Sequence, residues 1–156
     1  MQTEDRVSDA AANISLPLDE WLKALSALGD GPNPVCDQKE AEHVREFLNV
    51  LALGPPNLVA ALDLEVESTA FDDLLMRGAS ESVMLRVVKA NFGFMLSSSP
   101  GGTVLASAWL PVLREPVEAT SSRIAGALIA ACSQALIKAV LAGESAGGTN
   151  PAALAH

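Results

Sequence analysis

The chain contains no tyrosine, and its two tryptophans and four phenylalanines amount to 4% of its residues. Its core must therefore be aliphatic, filled by Leu, Val, Ala and Ile. Cysteine is nearly as scarce: Cys36 and Cys132 lie far apart, and neither has a Cys or His neighbour at metal-ligand spacing. That pattern reads as two reduced thiols of a cytosolic protein. Basic residues are outnumbered 10 to 19 by acidic ones, for a formal charge of −9 and a pI near 4.5. Such a surface repels phosphate backbones and anionic lipid, which argues against nucleic-acid and membrane-surface partners and suits a basic or apolar one. The N-terminus MQTEDRVSDAAAN lacks the basic start and apolar run of a signal peptide, so a cytoplasmic location is expected. The most apolar stretch, IAGALIAAC (124–132), is soon followed by Ser133, Gln134 and Lys138 and reads as too short for membrane insertion.

What is present suits one folded unit. A length of 156 residues with 49% hydrophobic content fits a single domain and excludes a mainly disordered chain. Residues 1–14 read as a flexible polar lead, 15–143 as one α+β domain and 144–156 as a flexible tail of small residues. In LPLDEWLKALSALG (16–29), Pro17 near the start, Asp19 and Glu20 in the first turn and Gly29 at the end punctuate a helix. Its Trp21, Leu22, Leu25 and Leu28 form one apolar stripe. Residues 37–54 fit two periods: Ala41, Val44, Leu48 and Leu51 suit a helix, while Val44, Leu48, Val50 and Ala52 suit an alternation. The preferred reading is a helical or irregular start passing into a strand near 47–53.

After the turn GPPN, the segment 57–66 alternates Leu58, Ala60, Leu62, Leu64 and Val66 against Asp63 and Glu65, as a half-buried strand does. Residues 70–78 are expected to form a third, shorter strand. Residues 79–91 read as a helix with Ser80 as N-cap. FGFMLSSSPGGTVLASAWLPVL (92–113) is a hairpin turning at SPGG. The span 118–143 is the longest predicted helix, stopped by Gly143. The sum is an α+β fold of about five antiparallel strands and three helices in the order α-β-β-β-α-β-β-α. Helices are expected on one sheet face, leaving the other short of cover, a usual route to a dimer or a client surface.

Motifs for chemistry fail one by one. GESAGG (143–148) matches the G-x-S-x-G pattern of hydrolase nucleophiles, but that motif needs a strand before Ser145 and a helix after it. Here a helix precedes it, and only His156 follows as a possible partner, with no acid beyond. Asp63, Glu65 and Glu67 alternate with Asp72 and Asp73 nearby, yet they lack calcium-loop spacing and read as a solvated face. SSSPGG lacks the lysine of a phosphate loop. His43 has no evident partner, and Asn13-Ile14-Ser15 is a glycosylation pattern with no secretion signal to make it relevant. No enzyme, metal or cofactor emerges from the residues.

The stretch MLRVVKANFGFMLSSSPGGTVLASAWLPVLREPVEATSSRIAGALIAACSQALIKAVL (84–141) resembles the C-terminal half of class I type III secretion chaperones, the CesT-like (Tir chaperone) family. The resemblance rests on a helix ending in a small-Asn-aromatic step (Ala90-Asn91-Phe92), a strand, a Gly-containing turn, a second strand ending at Leu110-Pro111, and a closing helix. LDEWLKALSALG sits where the family has its first helix. The resemblance implies a homodimer that binds secreted effector proteins without ATP. It keeps them partly unfolded and delivers them to the export apparatus and its ATPase. The overall pattern points to the multi-effector, exit-control subclass of plant-associated bacteria. By element, it implies client grooves at Trp21, Leu25, Leu62, Leu64, Val104 and Trp109, and a dimer seam at Val83, Val87, Phe94 and Leu96. Each has a plainer reading as core. The alternative function is a small dimeric α+β adaptor or sensor of the same fold, unrelated to secretion.

Overall fold

A computed structural model describes residues 15–30, 37–56, 60 and 71–154. Five helices and three strands make up the named elements: α1 (Leu18–Asp30), α2 (Asp37–Ala52), α3 (Asp72–Met76), α4 (Ser80–Asn91), β1 (Gly93–Ser98), β2 (Val104–Trp109), β3 (Val117–Ser121) and α5 (Ile124–Leu154). The α+β class is as expected. Among the described residues, however, the sheet has three antiparallel strands in the order β1-β2-β3 rather than about five.

The hairpin forms where the sequence places it. Gly102, at φ 88°, supplies the left-handed residue of the turn, and Ser99 exchanges backbone bonds with Thr103 and Gly102. Pairing then runs without a bulge from Ser98↔Val104 to Gly93↔Trp109. The third strand is Val117–Ser121, of which all but Val117 is expected from sequence to start the long helix. Alternation explains it: Val117 and Ser121 are buried while Glu118 and Thr120 are exposed.

Four further expectations need correction. The strand near 47–53 is instead the end of α2. There, Val44, Phe47, Leu48 and Leu51 recur at i, i+3, i+4 and i+7 and are all buried, so the helical period wins. The short strand expected at 70–78 is helix α3, with Asp72 and Asp73 in its first turn, where the helix dipole favours acids. Ser80 does not cap α4; Ala79 holds that position, and the Ser80 hydroxyl is buried without a hydrogen-bond partner. Helix α5 does not stop at Gly143, because a glycine ends a helix by taking positive φ, and among the described residues only Gly78 and Gly102 do so. The strand predicted at 57–66, with Leu62 and Leu64, lies outside the described residues apart from Ala60, whose backbone is helical.

The core is organised around α5. Its one side packs on β2 and β3, its other on α1, with α2 and α4 closing the flanks. Ala125, Ala127, Leu128, Ile129, Ala131, Cys132, Ala135 and Leu136 are all fully buried. This two-sided burial explains both the abundant alanine and the weak amphipathicity. It also corrects the reading that this helix is too short for a bilayer. By length and composition Ile124–Gly143 suffices to cross a membrane, yet 67% of its most apolar window is buried inside the protein. Trp21 ties α1 to α2 by donating its indole N–H to the Val50 carbonyl at 2.7 Å. An ion pair, Arg123 to Glu40 at 3.7 Å, holds the start of α5 against α2.

Candidate docking face of the sheet

The hairpin register sorts its side chains into two sets, because neighbours along a strand point to opposite faces and directly paired residues share one. One set, Phe94, Leu96, Val104, Ala106, Ala108 and Val117, turns toward α5. Within it Val104, Ala106, Ala108 and Val117 are buried. The other set turns away from the helices and comprises Met95, Leu105, Ser107, Trp109, Glu118 and Thr120, in cross-strand rows such as Met95–Ser107–Glu118. On this outer face Met95 is 65% exposed.

Gly93 and Trp109 make the end of this face. An ideal Cβ added at Gly93 would fall inside the Trp109 indole, so glycine is what lets the ring lie flat over the β1 backbone. Beside the ring opens a shallow cavity of about 330 Å³, lined by Met95, Trp109, Leu113, Arg114, Glu115 and Pro116. Its floor is apolar and one rim carries a cation and an anion in adjacent positions.

Charge sets this region apart. In a chain of net charge −9, no Asp, Glu, Lys, Arg or His occurs from Ala90 to Leu113, which covers all of the hairpin. β1 is an edge strand, and among the described residues no strand pairs with its outer side. Its sequence GFMLSS has no lysine, proline or bulge, the usual means of keeping a free edge from pairing with another chain.

The residues nominated from sequence fall in different places. Trp109 lies on the outer face, partly exposed. Val104 is buried beneath α5, and Trp21 and Leu25 are fully buried, so as placed these three are core. Val83 and Val87 are also buried, on the core side of α4. Phe94 and Leu96 are partly buried and pack on the core from the inner side of β1. Leu62 and Leu64 lie outside the described residues. The sequence reading missed Met95, Leu105 and Leu113. Met95 was legible in principle, since it alternates against Phe94 and Leu96, and a turn centred on SPGG pairs it with Ser107, in phase with Trp109.

Elsewhere the chemistry is sparse. Among the described residues no group of three or more His, Cys, Asp or Glu is placed to hold a metal ion. Burial pushes the Cys132 thiol well above its ordinary pKa, away from the reactive thiolate. Burial also lowers the pKa of His43, partly opposed by the Glu46 carboxylate. Ser145 lies on the continuous helix α5 rather than at a strand-to-helix turn, which removes the geometry the G-x-S-x-G pattern requires. No protein-family model matches the chain, and neither curated proteins nor solved structures match it.

Proposed function

We propose that the chain is a type III secretion chaperone: a cytoplasmic, non-enzymatic homodimer that binds effector proteins in a partly unfolded state and hands them to the export apparatus and its ATPase. The observation that carries this reading is the juxtaposition of an uncharged, partly apolar hairpin on the outer sheet face with an edge of β1 that no strand pairs among the described residues. An extended segment needs both, since strand addition satisfies its backbone while pockets take alternate side chains. Trp109, Met95, Leu105 and Leu113 are the client-binding side chains in this scheme, with Glu115 and Glu118 placed to meet basic residues of the client.

The dimer seam lies at α4 and the inner side of the hairpin, with Phe94 and Leu96 on it and Val83 and Val87 supporting it from the core, and it leaves the outer edge of β1 to the client. Two acidic copies approach there without like-charge repulsion, because the whole hairpin is uncharged.

Two measurements test the proposal together. Light scattering is expected to give twice the chain mass. Pull-down with the N-terminal regions of secreted effectors is expected to retain them, and Trp109→Ser to release them. A monomer would remove the seam. A dimer that retains no effector segment favours the adaptor or sensor reading instead.

A further inference from the structure

Of the chain's four methionines, three lie among the described residues, in three different settings. Met84 is fully buried in α4, Met76 is 81% exposed on α3, and Met95 is 65% exposed on the edge strand of the outer sheet face. Met95 also lines the cavity beside Trp109, with Leu113 and Pro116. A thioether in that position serves an apolar face well, because it is flexible and polarisable. It is also an apolar side chain that a mild oxidant converts to a polar group.

We infer that Met95 is an oxidation switch of the docking face. The reaction is a two-electron oxygen transfer from hydrogen peroxide: the sulfur lone pair attacks one peroxide oxygen, the O–O bond breaks, and the products are methionine sulfoxide and water. The sulfur is oxidised and the peroxide reduced, with no other reactant required. The new S=O group is a strong acceptor, and an apolar partner side chain laid over it leaves it buried without a donor. An unpaired buried polar group of that kind weakens binding about tenfold or more. Sulfoxide reductases reverse the change, so the switch resets. Its location makes it local: Met95 points away from α5, so oxidation leaves the packed face intact.

This inference rests on the docking face proposed above, and its test separates the two. The probe is a synthetic extended peptide of alternating Leu and Lys, with affinity measured before and after peroxide treatment of the full chain and oxidation sites mapped by mass spectrometry. Met95 and Met76 are expected to oxidise, Met84 to stay reduced, and affinity to fall about tenfold with no change in circular dichroism. Met95→Leu is expected to hold whatever affinity it starts with through peroxide treatment, whereas Met76→Leu stays sensitive. Binding that survives full oxidation of Met95, or an equal loss in Met95→Leu, overturns the switch and leaves the docking face standing. No binding by the reduced protein overturns both.

Discussion

The two faces of strand β2 are built from six consecutive residues, yet they live under different rules. Val104, Ala106 and Ala108 are small or branched, buried, and pressed against α5; Leu105, Ser107 and Trp109 alternate with them and face away. On the inner face size is the constraint, because an alanine-rich helix and an alanine-rich strand approach closely and leave no room for growth. On the outer face size is freer and chemistry is the constraint: the two hairpin strands are kept uncharged in a chain dominated by acids. Uncharged hairpin strands that leave Met95 exposed and Leu105 and Trp109 partly exposed point to an interface rather than to a core.

The sharpest way to break the comparison is to put the same charge on each side. Ala106→Asp places an unpaired carboxylate under α5, at a position with no exposed surface. The expected cost is about 4 kcal/mol or more, a large part of a typical domain's stability, and urea melts should show most of the cooperative transition lost. Leu105→Asp, one residue away on the outer face, should leave the melt within about 1 kcal/mol. Equal damage at both positions would mean that the outer face is covered after all.

The second contrast concerns the two tryptophans. Trp21 is fully buried and donates to the Val50 carbonyl, so Trp21→Phe strands a buried acceptor and is expected to cost about 1–3 kcal/mol of stability. Trp109→Ser should cost less stability but about 2 kcal/mol or more of binding, roughly thirtyfold in affinity, as aromatic anchors of interfaces do. Melts and peptide titrations on the same two variants separate the roles.

Much of this contrast was legible in the sequence, and the rest was not, for physical reasons. The hairpin was readable because SPGG fixes the turn and alternation fixes the faces. The helical stripe of α1 was readable because Trp21, Leu25 and Leu28 repeat on one side. Helix α2 was obscured because Val44 and Leu48 fit both periods while Val50 and Ala52 continue the alternation, and only burial of Phe47 and Leu51 decides between them. β3 was hidden because its five residues abut a long alanine-rich helix with no proline or glycine between. The candidate site suffered from a different ambiguity. An apolar stripe looks alike whether it faces core or partner, so Trp21, Leu25 and Val104 were nominated with Trp109 although only the last faces outward.

A smaller effect sharpens the outer face itself. Gly93→Ala introduces a Cβ where the Trp109 ring lies, so either the strand or the indole has to move. Overpacking of this kind costs about 1–3 kcal/mol when neighbours are fixed, and less when one of them swings into solvent. The ring is partly exposed, so the smaller cost is expected, with Trp109 displaced. Because Trp21 is buried and hydrogen-bonded, a red shift in tryptophan emission would report Trp109 alone. An unchanged spectrum together with a full loss of stability would show that the ring is locked.

The smallest expected effect lies away from both faces and tests whether folding and docking are separable. His43 sits half-buried on α2, and burial holds its pKa below the ordinary 6.5, with Glu46 pulling the other way. The unfolded chain therefore binds a proton more readily than the folded one. The stability gained from keeping this imidazole neutral is fully present above pH 6.5 and is lost as pH falls through the lower folded value. His43→Gln removes this contribution, so the variant's urea midpoint should fall less steeply below pH 6.5 than the parent's. Peptide affinity at the uncharged hairpin should not follow His43 at all, since no titrating group lies between Ala90 and Leu113. A docking curve that loses its pH dependence with His43 would mean that α2 and the outer face are coupled through the core, and the division between the two faces of β2 would no longer hold.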